Sequence, residues 1–405
     1  MHTSTASAAR PLNAVEVPLG PAVLQRILPA VDAALRGGPA LLPIPARPVL
    51  VRTALLAAMR PDEPVETVDH DEVALVVPTS GSTGDPKGVL LGVTGLTAAA
   101  AAAHERLGGS GRWLLALPAT HVGGLMVLVR SVVAGTTPDV VDLTAGFDPV
   151  TFAAAGRRFL GRDAARRYTA LVPRQLAVVL EAGGAALEVL TAFDAVLVGG
   201  SSAAPDLLAR ARKAGVHVVT SYGMTETCGG VVYDGLPLTG VQIAIAPTGR
   251  IKISGPVLAH GYRRQPELTT QTFVDGWFVS SDLGRIEEDR RLSVHGRTDD
   301  VAVTGGVNVP LAAADALVAG HPGVAAAATV AQPDPTWGQR VVAVVVPRDP
   351  ANPPTLESIR AHVASRAPAA HAPTALVLAE ALPMLAGGQV DRTALVARLL
   401  ETTTA

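Results

Sequence analysis

Short apolar runs and candidate helices alternate along the first half of the chain. Val73–Val77 is an uninterrupted apolar run of the length expected for a buried strand. The alanine-rich stretch Thr94–Leu107 predicts a helix, and Thr94 is a candidate for its N-cap. We therefore expect a strand and a helix joined mainly by the polar loop Thr79–Gly88.

A second stretch predicts a complete strand–helix–strand unit. Ala195–Val198 has the pattern of a strand, Gly199–Ser202 of a turn, Pro205–Ala214 of a helix and Val216–Thr220 of the next strand. Such a unit implies parallel strands, whose carboxyl ends carry the ligand-binding loops.

The pattern changes in the second half of the chain. Between Ile243 and Val294, short strands separated by glycine and proline predict a β-rich region. Gly296–Asp300 then indicates a junction, followed by a stretch of about the minimum size of a domain. In that stretch the pattern predicts a turn at Gly305–Gly306, a helix from Pro310, strands at Val324–Val330 and Val341–Val346, a loop at Asp349–Pro354, and helices at Leu356–Ser365 and from Arg392.

Length and composition indicate a globular protein of more than one domain. The chain has 405 residues, which is more than a single core usually holds, and 48% of them are hydrophobic against 17% charged. The formal net charge is −2 without a block of like charges. This balance argues against a nucleic-acid partner and against binding to an anionic membrane surface.

Cysteine content and the chain start favour a cytoplasmic location. Cys228 is the only cysteine, so no disulfide can form within the chain, and a packing role explains it better than a nucleophilic one. The first residues lack a basic segment followed by an apolar one, so we expect no signal peptide. The apolar stretch Trp113–Gly135 is broken by proline, histidine, glycine and arginine, which predicts a buried loop and helix rather than a membrane span.

The loop after the Val73–Val77 strand is rich in glycine and hydroxyl residues. It comprises Thr79, Ser80, Gly81, Ser82, Thr83, Gly84, Asp85, Pro86, Lys87 and Gly88. Glycines let the backbone approach a phosphate, hydroxyl and N–H groups donate to its oxygens, and Lys87 adds a positive charge. Lys87 lies between Pro86 and Gly88, so the loop is not a Walker A motif. An ordinary polar connection is the weaker alternative, and we predict a phosphate-binding loop.

This loop and four later segments follow one another in an order and at a spacing typical of one protein family. The later segments are Ser221–Glu226, Gly276–Gly284, Gly296–Asp300 and Leu382–Arg392. From about residue 73 to the end, the chain thereby resembles the adenylate-forming superfamily of acyl-CoA synthetases, peptide-synthetase adenylation domains and luciferases. The resemblance implies an α/β fold with a small α+β C-terminal domain. A large N-terminal domain of layered sheets and helices, residues 1–298, would be joined by a hinge at Asp299 to a mobile C-terminal domain, residues 299–405.

The segment Ser221–Glu226 resembles the adenine and metal motif of that superfamily. The resemblance implies that Tyr222 stacks on adenine, that Thr225 contacts the α-phosphate and that Glu226 helps to hold Mg²⁺, a cation that prefers oxygen ligands. Ser221 and Gly223 would lie against the nucleotide. Taken alone, Tyr222 is better explained as a core residue at the end of a strand.

Further roles follow from the other motifs of the resemblance. Asp282 would accept hydrogen bonds from both ribose hydroxyls, although a lone aspartate is more often a turn or cap residue. Arg297 would donate to ribose or phosphate. Gly199, Gly200 and Ser201 would lie against either the nucleotide base or the acyl group.

His121 and Arg174 are the candidates for contact with the acid. In the superfamily a histidine or aromatic residue at the position of His121 borders the acyl pocket, and a partly buried structural histidine is an equal alternative. Arg174 is a candidate to bind a second carboxylate of the substrate.

The chain departs from the superfamily at Gln389. A lysine usually stands there and bridges the substrate carboxylate and the α-phosphate during adenylation. Glutamine donates a hydrogen bond but brings no charge, and losing one such donor commonly lowers a rate by about 10²–10³. We therefore expect slow adenylation, unless another cation replaces the lysine.

The resemblance implies a two-step reaction with ATP, Mg²⁺ and coenzyme A. A carboxylate would attack the α-phosphate to give an acyl-adenylate, and the thiol of coenzyme A would then displace AMP. The continuation Thr225–Gly235 and the short stretch before Thr79, which indicates a shortened N-terminus, are similar to o-succinylbenzoate–CoA ligases of menaquinone biosynthesis. A ligase for another aryl or fatty acid and a non-catalytic nucleotide-binding protein remain alternatives. The sequence leaves the oligomeric state open, a homodimer included.

Overall fold

A computed structural model describes residues 9–46, 48–65, 71–80, 86–162, 166–304, 307–384 and 390–403. The helices are α1 (Val23–Leu35), α2 (Val49–Met59), α3 (Val93–Arg106), α4 (Val122–Val133), α5 (Pro149–Leu160), α6 (Pro173–Ala182), α7 (Gly184–Thr191), α8 (Pro205–Lys213), α9 (Pro266–Thr272), α10 (Leu311–Ala319), α11 (Leu356–Ala364) and α12 (Arg392–Thr403). Within these ranges, no helix has the length and apolarity needed to cross a bilayer.

The strands are listed in chain order. They are β1 (Leu12–Val17), β2 (Ala40–Pro45), β3 (Val73–Ser80), β4 (Pro86–Gly92), β5 (Arg112–Leu115), β6 (Asp139–Val140), β7 (Arg167–Leu171), β8 (Ala195–Gly199), β9 (Val218–Met224), β10 (Gly229–Tyr233), β11 (Leu236–Pro237), β12 (Gln242–Ile245), β13 (Arg250–Ser254), β14 (Gly261–Tyr262), β15 (Phe273–Val274), β16 (Trp277–Ile286), β17 (Leu292–Arg297), β18 (Val301–Thr304), β19 (Val307–Pro310), β20 (Val324–Asp334), β21 (Gly338–Pro347) and β22 (Ala375–Leu378).

The chain divides into two compact units. Unit one is Met1–Ala244 with Lys252–Val279, and unit two is Ile245–Ile251 with Ser280–Ala405. The predicted boundary between residues 298 and 299 is set by an expected hinge and lies inside unit two. The division into units does not test that boundary, which stays a prediction.

Unit one contains a seven-stranded sheet in the order β11-β10-β9-β8-β7-β5-β6. Strands β6, β5, β7, β8 and β9 are parallel, β10 runs antiparallel to β9, and β11 runs antiparallel to β10. Helices α5 to α8 cover one face with a buried apolar core that includes Phe152, Phe159, Leu176, Leu190 and Val196. The predicted strand–helix–strand unit is confirmed as β8, α8 and β9. Its second strand begins at Val218, two residues later than predicted, and continues to Met224.

A second sheet of unit one has the order β1-β2-β3-β4-β14. Strands β3 and β4 form an antiparallel hairpin in which Thr79 pairs with Lys87. The predicted strand at Val73–Val77 is confirmed and extends to Ser80, the second residue of the polar loop. The end of that loop, from Pro86, is itself a strand, which the loop prediction missed because glycine, proline and lysine are uncommon in strands.

The start of α3 corrects the predicted cap. Thr94 lies inside the helix, and the N-cap is Gly92, an extended residue without a capping side chain. The Asp71 carboxylate caps the helix instead, accepting hydrogen bonds from Thr94 N at 3.2 Å and Thr94 Oγ1 at 3.0 Å. The predicted N-cap is therefore wrong, because the capping group comes from a distant part of the chain.

Gly92 also packs against an aspartate–histidine pair. His260 Nε2 lies 2.9 Å from the second carboxylate oxygen of Asp71, and both side chains are mostly buried. A Cβ atom at Gly92 would overlap both groups. The pair therefore requires glycine at position 92.

Strand β5, the loop after it and helix α4 form the apolar stretch Trp113–Gly135. Trp113 and most of α4 are buried, which confirms the predicted buried loop and helix.

Unit two contains antiparallel β20 and β21, with β22 parallel to β21 and the hairpin of β18 and β19 beside it. Helices α10 and α11 cover one part of its core and α12 another, with Val318, Ile359 and Leu395 as central buried residues. These elements confirm the predicted helices and strands of the C-terminal stretch. The predicted Gly305–Gly306 turn lies outside the described residues.

We predict that Gly92→Ala destabilises unit one. The added methyl group would break the contact between Asp71 and His260, and overpacking combined with a lost hydrogen bond typically costs roughly 2–4 kcal/mol. Urea denaturation measures the change. Gly161→Ala is the matched control, because its methyl group would meet only ordinary contacts. Equal stability of the two variants would contradict this packing.

Candidate active site

Four adjacent parallel strands of unit one end at the same edge of their sheet. The loop after β5 ends at His121, the start of α6 after β7 carries Arg174, β8 ends at Gly199, and β9 leads to Thr225. The carboxyl edge of a parallel sheet is where such folds bind ligands. The strand order therefore brings predicted residues from four separate segments to one edge.

Glu226 lies in a 3-10 turn, Thr225–Thr227, directly after β9. The Thr227 hydroxyl closes this turn, because it accepts a hydrogen bond from Met224 N at 3.0 Å and lies 2.8 Å from Gly229 O, to which it donates. Cys228 follows in a left-handed conformation, and β10 then returns antiparallel to β9. The local sequence thus reverses the chain with Glu226 at the reversal.

Tyr262 connects Glu226 to the strand that leaves the phosphate loop. Its hydroxyl donates to Glu226 Oε1 at 2.9 Å, and Lys87 Nζ lies 5.6 Å from the centre of its ring. Burial, with the nearby Glu226 charge, raises the pKa of the Tyr262 hydroxyl above its usual range. The hydroxyl therefore stays protonated and acts as a donor. Tyr262 is not among the predicted site residues, because its partners are 36 and 175 residues away in the chain and no local pattern signals them.

The structure describes only the two ends of the predicted phosphate loop. Thr79 and Lys87 pair across the hairpin of β3 and β4, and Thr79 Oγ1 lies 3.5 Å from Lys87 O. Gly81, Ser82, Thr83, Gly84 and the side chain of Ser80 lie outside the described residues. Both described ends belong to the hairpin of β3 and β4. They are therefore paired with each other, as the ends of a loop that joins two adjacent strands must be.

Two glycines at this edge are required by close backbone approach. A Cβ atom at Gly199 would lie 2.5 Å from Ser221 O, and one at Gly223 would overlap Gly229 O. Gly200 has φ +81, a conformation that favours glycine. Packing accounts for these glycines, and the predicted nucleotide contacts of Ser221, Gly223 and Gly200 stay predictions. Tyr222, in the middle of β9, is partly buried rather than a core residue.

The two candidate acid-binding residues lie at helix starts. His121 is the extended N-cap of α4, and its pKa is lowered because neighbouring groups partly exclude water from its ring, although more than a third of the residue is exposed. Arg174 is exposed in the first turn of α6 and makes no ion pair with the described residues. Ser201 is exposed in the loop after β8. A neutral histidine and an available guanidinium suit the predicted roles, which stay predictions.

Unit two carries the predicted ribose-binding pair. Strands β16 and β17 pair Asp282 with Arg297, and Arg297 Nη1 lies 3.2 Å from Asp282 Oδ1. Ser280 Oγ accepts a hydrogen bond from Asp282 N at 3.1 Å. Asp282 is nearly buried and Arg297 is half-exposed. The pair presents a fixed carboxylate beside a donor, which suits recognition of a diol.

The C-terminal motif is anchored at its base. Met384 and Val390 form an isolated bridge, and Asp391 N donates to Pro383 O at 2.8 Å. Arg392 pairs with Asp300 at 3.3 Å and with Asp315. Gln389 and the side chain of Asp299, the predicted hinge residue, lie outside the described residues.

The described carboxylates fit a magnesium ion only if a substrate supplies the rest of its oxygen ligands. Within the described ranges, no group of three or more histidine, cysteine, aspartate or glutamate residues converges. Mg²⁺ commonly binds through one or two carboxylates plus substrate phosphates. Glu226, linked through Tyr262 to Lys87 of the phosphate-loop hairpin, fits that mode of binding.

Comparison with known proteins identifies the class. Residues 21–262 match the AMP-binding enzyme family, and residues 314–388 match the AMP-binding enzyme C-terminal domain. The chain therefore belongs to the AMP-binding enzyme family, the class of adenylate-forming enzymes.

Among its relatives is a probable 2-succinylbenzoate–CoA ligase from Mycobacterium tuberculosis. It is 45% identical over 391 residues, which cover 96% of this chain and 98% of the relative. A 2-succinylbenzoate–CoA ligase from Enterococcus faecalis is 33% identical over 305 residues, covering 69% of this chain and 60% of the relative. The solved structure of o-succinylbenzoate CoA synthetase (MenE) from Bacillus subtilis in complex with the acyl-adenylate intermediate OSB-AMP is 25% identical, with a TM-score of 0.73 over 91% of this chain and 80% of that chain.

These findings confirm three predictions. The superfamily is confirmed, the large N-terminal α/β domain with a smaller C-terminal domain is confirmed, and so is the class of AMP-forming acid–CoA ligase. The individual site residues, the hinge and the domain boundary stay predictions.

We predict that Cys228 is unreactive in the native protein. The residue is fully buried, and burial raises the pKa of its thiol, so the thiolate is scarce at neutral and mildly alkaline pH. Dithionitrobenzoate should release no colour from the native protein and one equivalent per chain after unfolding in urea. Rapid labelling of the native protein, or loss of activity on labelling, would contradict the packing role.

Proposed function

We propose that the chain is an ATP-dependent 2-succinylbenzoate–CoA ligase, acting in the cytoplasm in menaquinone biosynthesis. The observation that carries the proposal is the similarity to the M. tuberculosis relative along nearly the whole of both chains. The matched 391 residues cover 96% of this chain and 98% of the relative. ATP and coenzyme A would be substrates, and Mg²⁺ would accompany ATP.

The first step joins the acid to AMP. A carboxylate oxygen of the acid attacks the α-phosphorus of ATP, and the bond to pyrophosphate breaks. Lys87 and the phosphate loop would hold the phosphates, while Thr225 would donate to the α-phosphate. Glu226 would hold Mg²⁺, which when bound neutralises phosphate charge. The protein's part is to orient the two reactants and stabilise charge.

The nucleotide would be held by groups from several segments. Tyr222, with Ser221, Gly223 and Gly200, would contact the adenine. Asp282 would accept hydrogen bonds from the ribose hydroxyls, and Arg297 would add a donor. The fixed Asp282–Arg297 pair supports this assignment, because its carboxylate is already oriented by the strand pairing.

The acid would be held at the carboxyl edge of the parallel strands. Gly199, Ser201 and His121 would border its ring. Arg174 would pair with the second carboxylate of a dicarboxylic acid, since its guanidinium is exposed at that edge. A monocarboxylic acid would leave that group unpaired, which favours the dicarboxylate.

The second step transfers the acyl group to a thiol. The sulfur of coenzyme A attacks the acyl carbonyl carbon, the bond to AMP breaks and the thiol proton is released. Residues 299–405 would rotate about Asp299 between the two steps. Gln389 brings no charge to the first step, so the transfer step would be the faster of the two.

We predict that the purified protein forms a thioester from 2-succinylbenzoate, ATP and coenzyme A, and releases pyrophosphate. Ferulate and benzoate should react much more slowly. Glu226→Gln should lower the rate by about 10²-fold or more, as removal of a charged catalytic group does. Glu188→Gln, at an exposed glutamate of α7, is the matched control. Equal rates for benzoate and 2-succinylbenzoate would reject the substrate, and ATP binding without any product would favour a binding protein.

We predict that Gln389→Lys speeds adenylation by about 10²–10³-fold. The new ammonium group would stabilise charge on the α-phosphate and the attacking carboxylate. Pyrophosphate release measures this step, and the reaction of preformed acyl-adenylate with coenzyme A measures the other, which should change little. Gln271→Lys, at an exposed position of α9, controls for the added charge. An unchanged adenylation rate would show that the missing charge at residue 389 does not slow the first step.

A further inference from the structure

We propose that Tyr262 is a positioning residue that fixes Glu226 and Lys87 for binding of metal-bound ATP. This inference rests on the proposed function, in which Glu226 helps to hold the metal ion. Tyr262 lies outside the phosphate loop and outside the motif that contains Glu226. The two ends of its side chain nevertheless contact one charged residue from each of these segments.

The backbone holds Tyr262 in place. It pairs with Val89 in β4, so that it is fixed to the strand that leaves the phosphate loop. Its amide donates to Thr269 Oγ1 at 2.9 Å, and its ring packs edge-on against Phe273 with centres 5.9 Å apart. The residue is only 6% exposed. The phenol therefore has a fixed position, and it restricts the positions of the groups that it contacts.

The hydroxyl orients the carboxylate of Glu226. It donates to one carboxylate oxygen, Oε1, which restricts rotation of the group. Groups that hydrogen-bond to a metal ligand typically contribute about 10–100-fold to metal affinity or activity, because they fix the ligand's orientation. The Glu226 main chain is fixed as well, since its carbonyl accepts a hydrogen bond from Ala259 N at 2.8 Å.

The ring also separates two opposite charges. Lys87 Nζ lies over the ring face, whereas Glu226 contacts the hydroxyl. A direct ion pair would neutralise both groups, and each would then interact less strongly with phosphate or metal. A phenol between them attracts the cation through its ring and the anion through its hydroxyl. One phenol thus sets the positions of both charged groups.

The test compares two tyrosines that each bury a hydroxyl. Tyr262→Phe keeps the ring and removes the donor to Glu226. Tyr168→Phe is the matched control, because the Tyr168 hydroxyl is hydrogen-bonded to Leu107 O at 3.0 Å and Gly109 O at 2.9 Å, away from the site. Binding of Mn²⁺·ATP, followed by the electron paramagnetic resonance of free Mn²⁺, requires neither the acid nor coenzyme A.

We expect Tyr262→Phe to raise the dissociation constant of Mn²⁺·ATP by about tenfold or more. ATP binding without metal should change little, and Tyr168→Phe should bind as the parent does. In a Glu226→Gln background, Tyr262→Phe should add no further loss, because the hydroxyl acts through that carboxylate. Tyr262→His, which retains a ring and a donor, should lose less and serves if the phenylalanine variant fails to fold.

Three results with the variants would overturn the inference. They are parental metal–nucleotide affinity in Tyr262→Phe, an equal loss in Tyr168→Phe, and a full further loss in the Glu226→Gln background. A parent that binds no Mn²⁺·ATP would overturn it too. A parent that binds Mn²⁺·ATP but makes no thioester from 2-succinylbenzoate would reject the proposed function and leave the role of Tyr262 intact.

Discussion

The parallel pairing of β5, β7, β8 and β9 is the constraint on which the site in unit one depends. Register sets Gly199 opposite Ser221, and the strands on either side follow the same direction. Right-handed connections place the helices on the faces of such a sheet and leave its carboxyl edge to loops. His121, Arg174 and Thr225 are distant in the chain, and only this pairing brings them to one edge. A Cβ atom at Gly199 would lie 2.5 Å from Ser221 O, so this position at the edge requires glycine.

Much of the fold could be predicted from sequence, because apolar runs of strand length and a strand–helix–strand pattern are local signals. The prediction failed where a partner decides the structure. Strand β4 contains proline, glycine and lysine, and it is a strand because it pairs with β3 and with β14. The cap of α3 comes from Asp71, whose carboxylate is 23 residues before Thr94. Neither partner can be identified from the segment itself.

The site shows the same division between local and distant signals. Glu226 and Lys87 stand in recognisable motifs, so sequence identified them. Tyr262 stands in a two-residue strand, and its importance comes from contacts with segments far away in the chain. Gly223 shows that a glycine in a motif can have two explanations. The motif assigns Gly223 to the nucleotide, whereas backbone packing against Gly229 already requires glycine there.

Arg392, at the start of α12, ties the end of the C-terminal motif to two other segments of unit two. Its guanidinium contacts Asp300 in the turn Thr298–Asp300 and Asp315 in α10, and the pairing of Met384 with Val390 closes the base of the loop. A change at Arg392 would therefore disturb the turn, α10 and the start of α12 together, so natural selection on this one side chain acts on three segments at once.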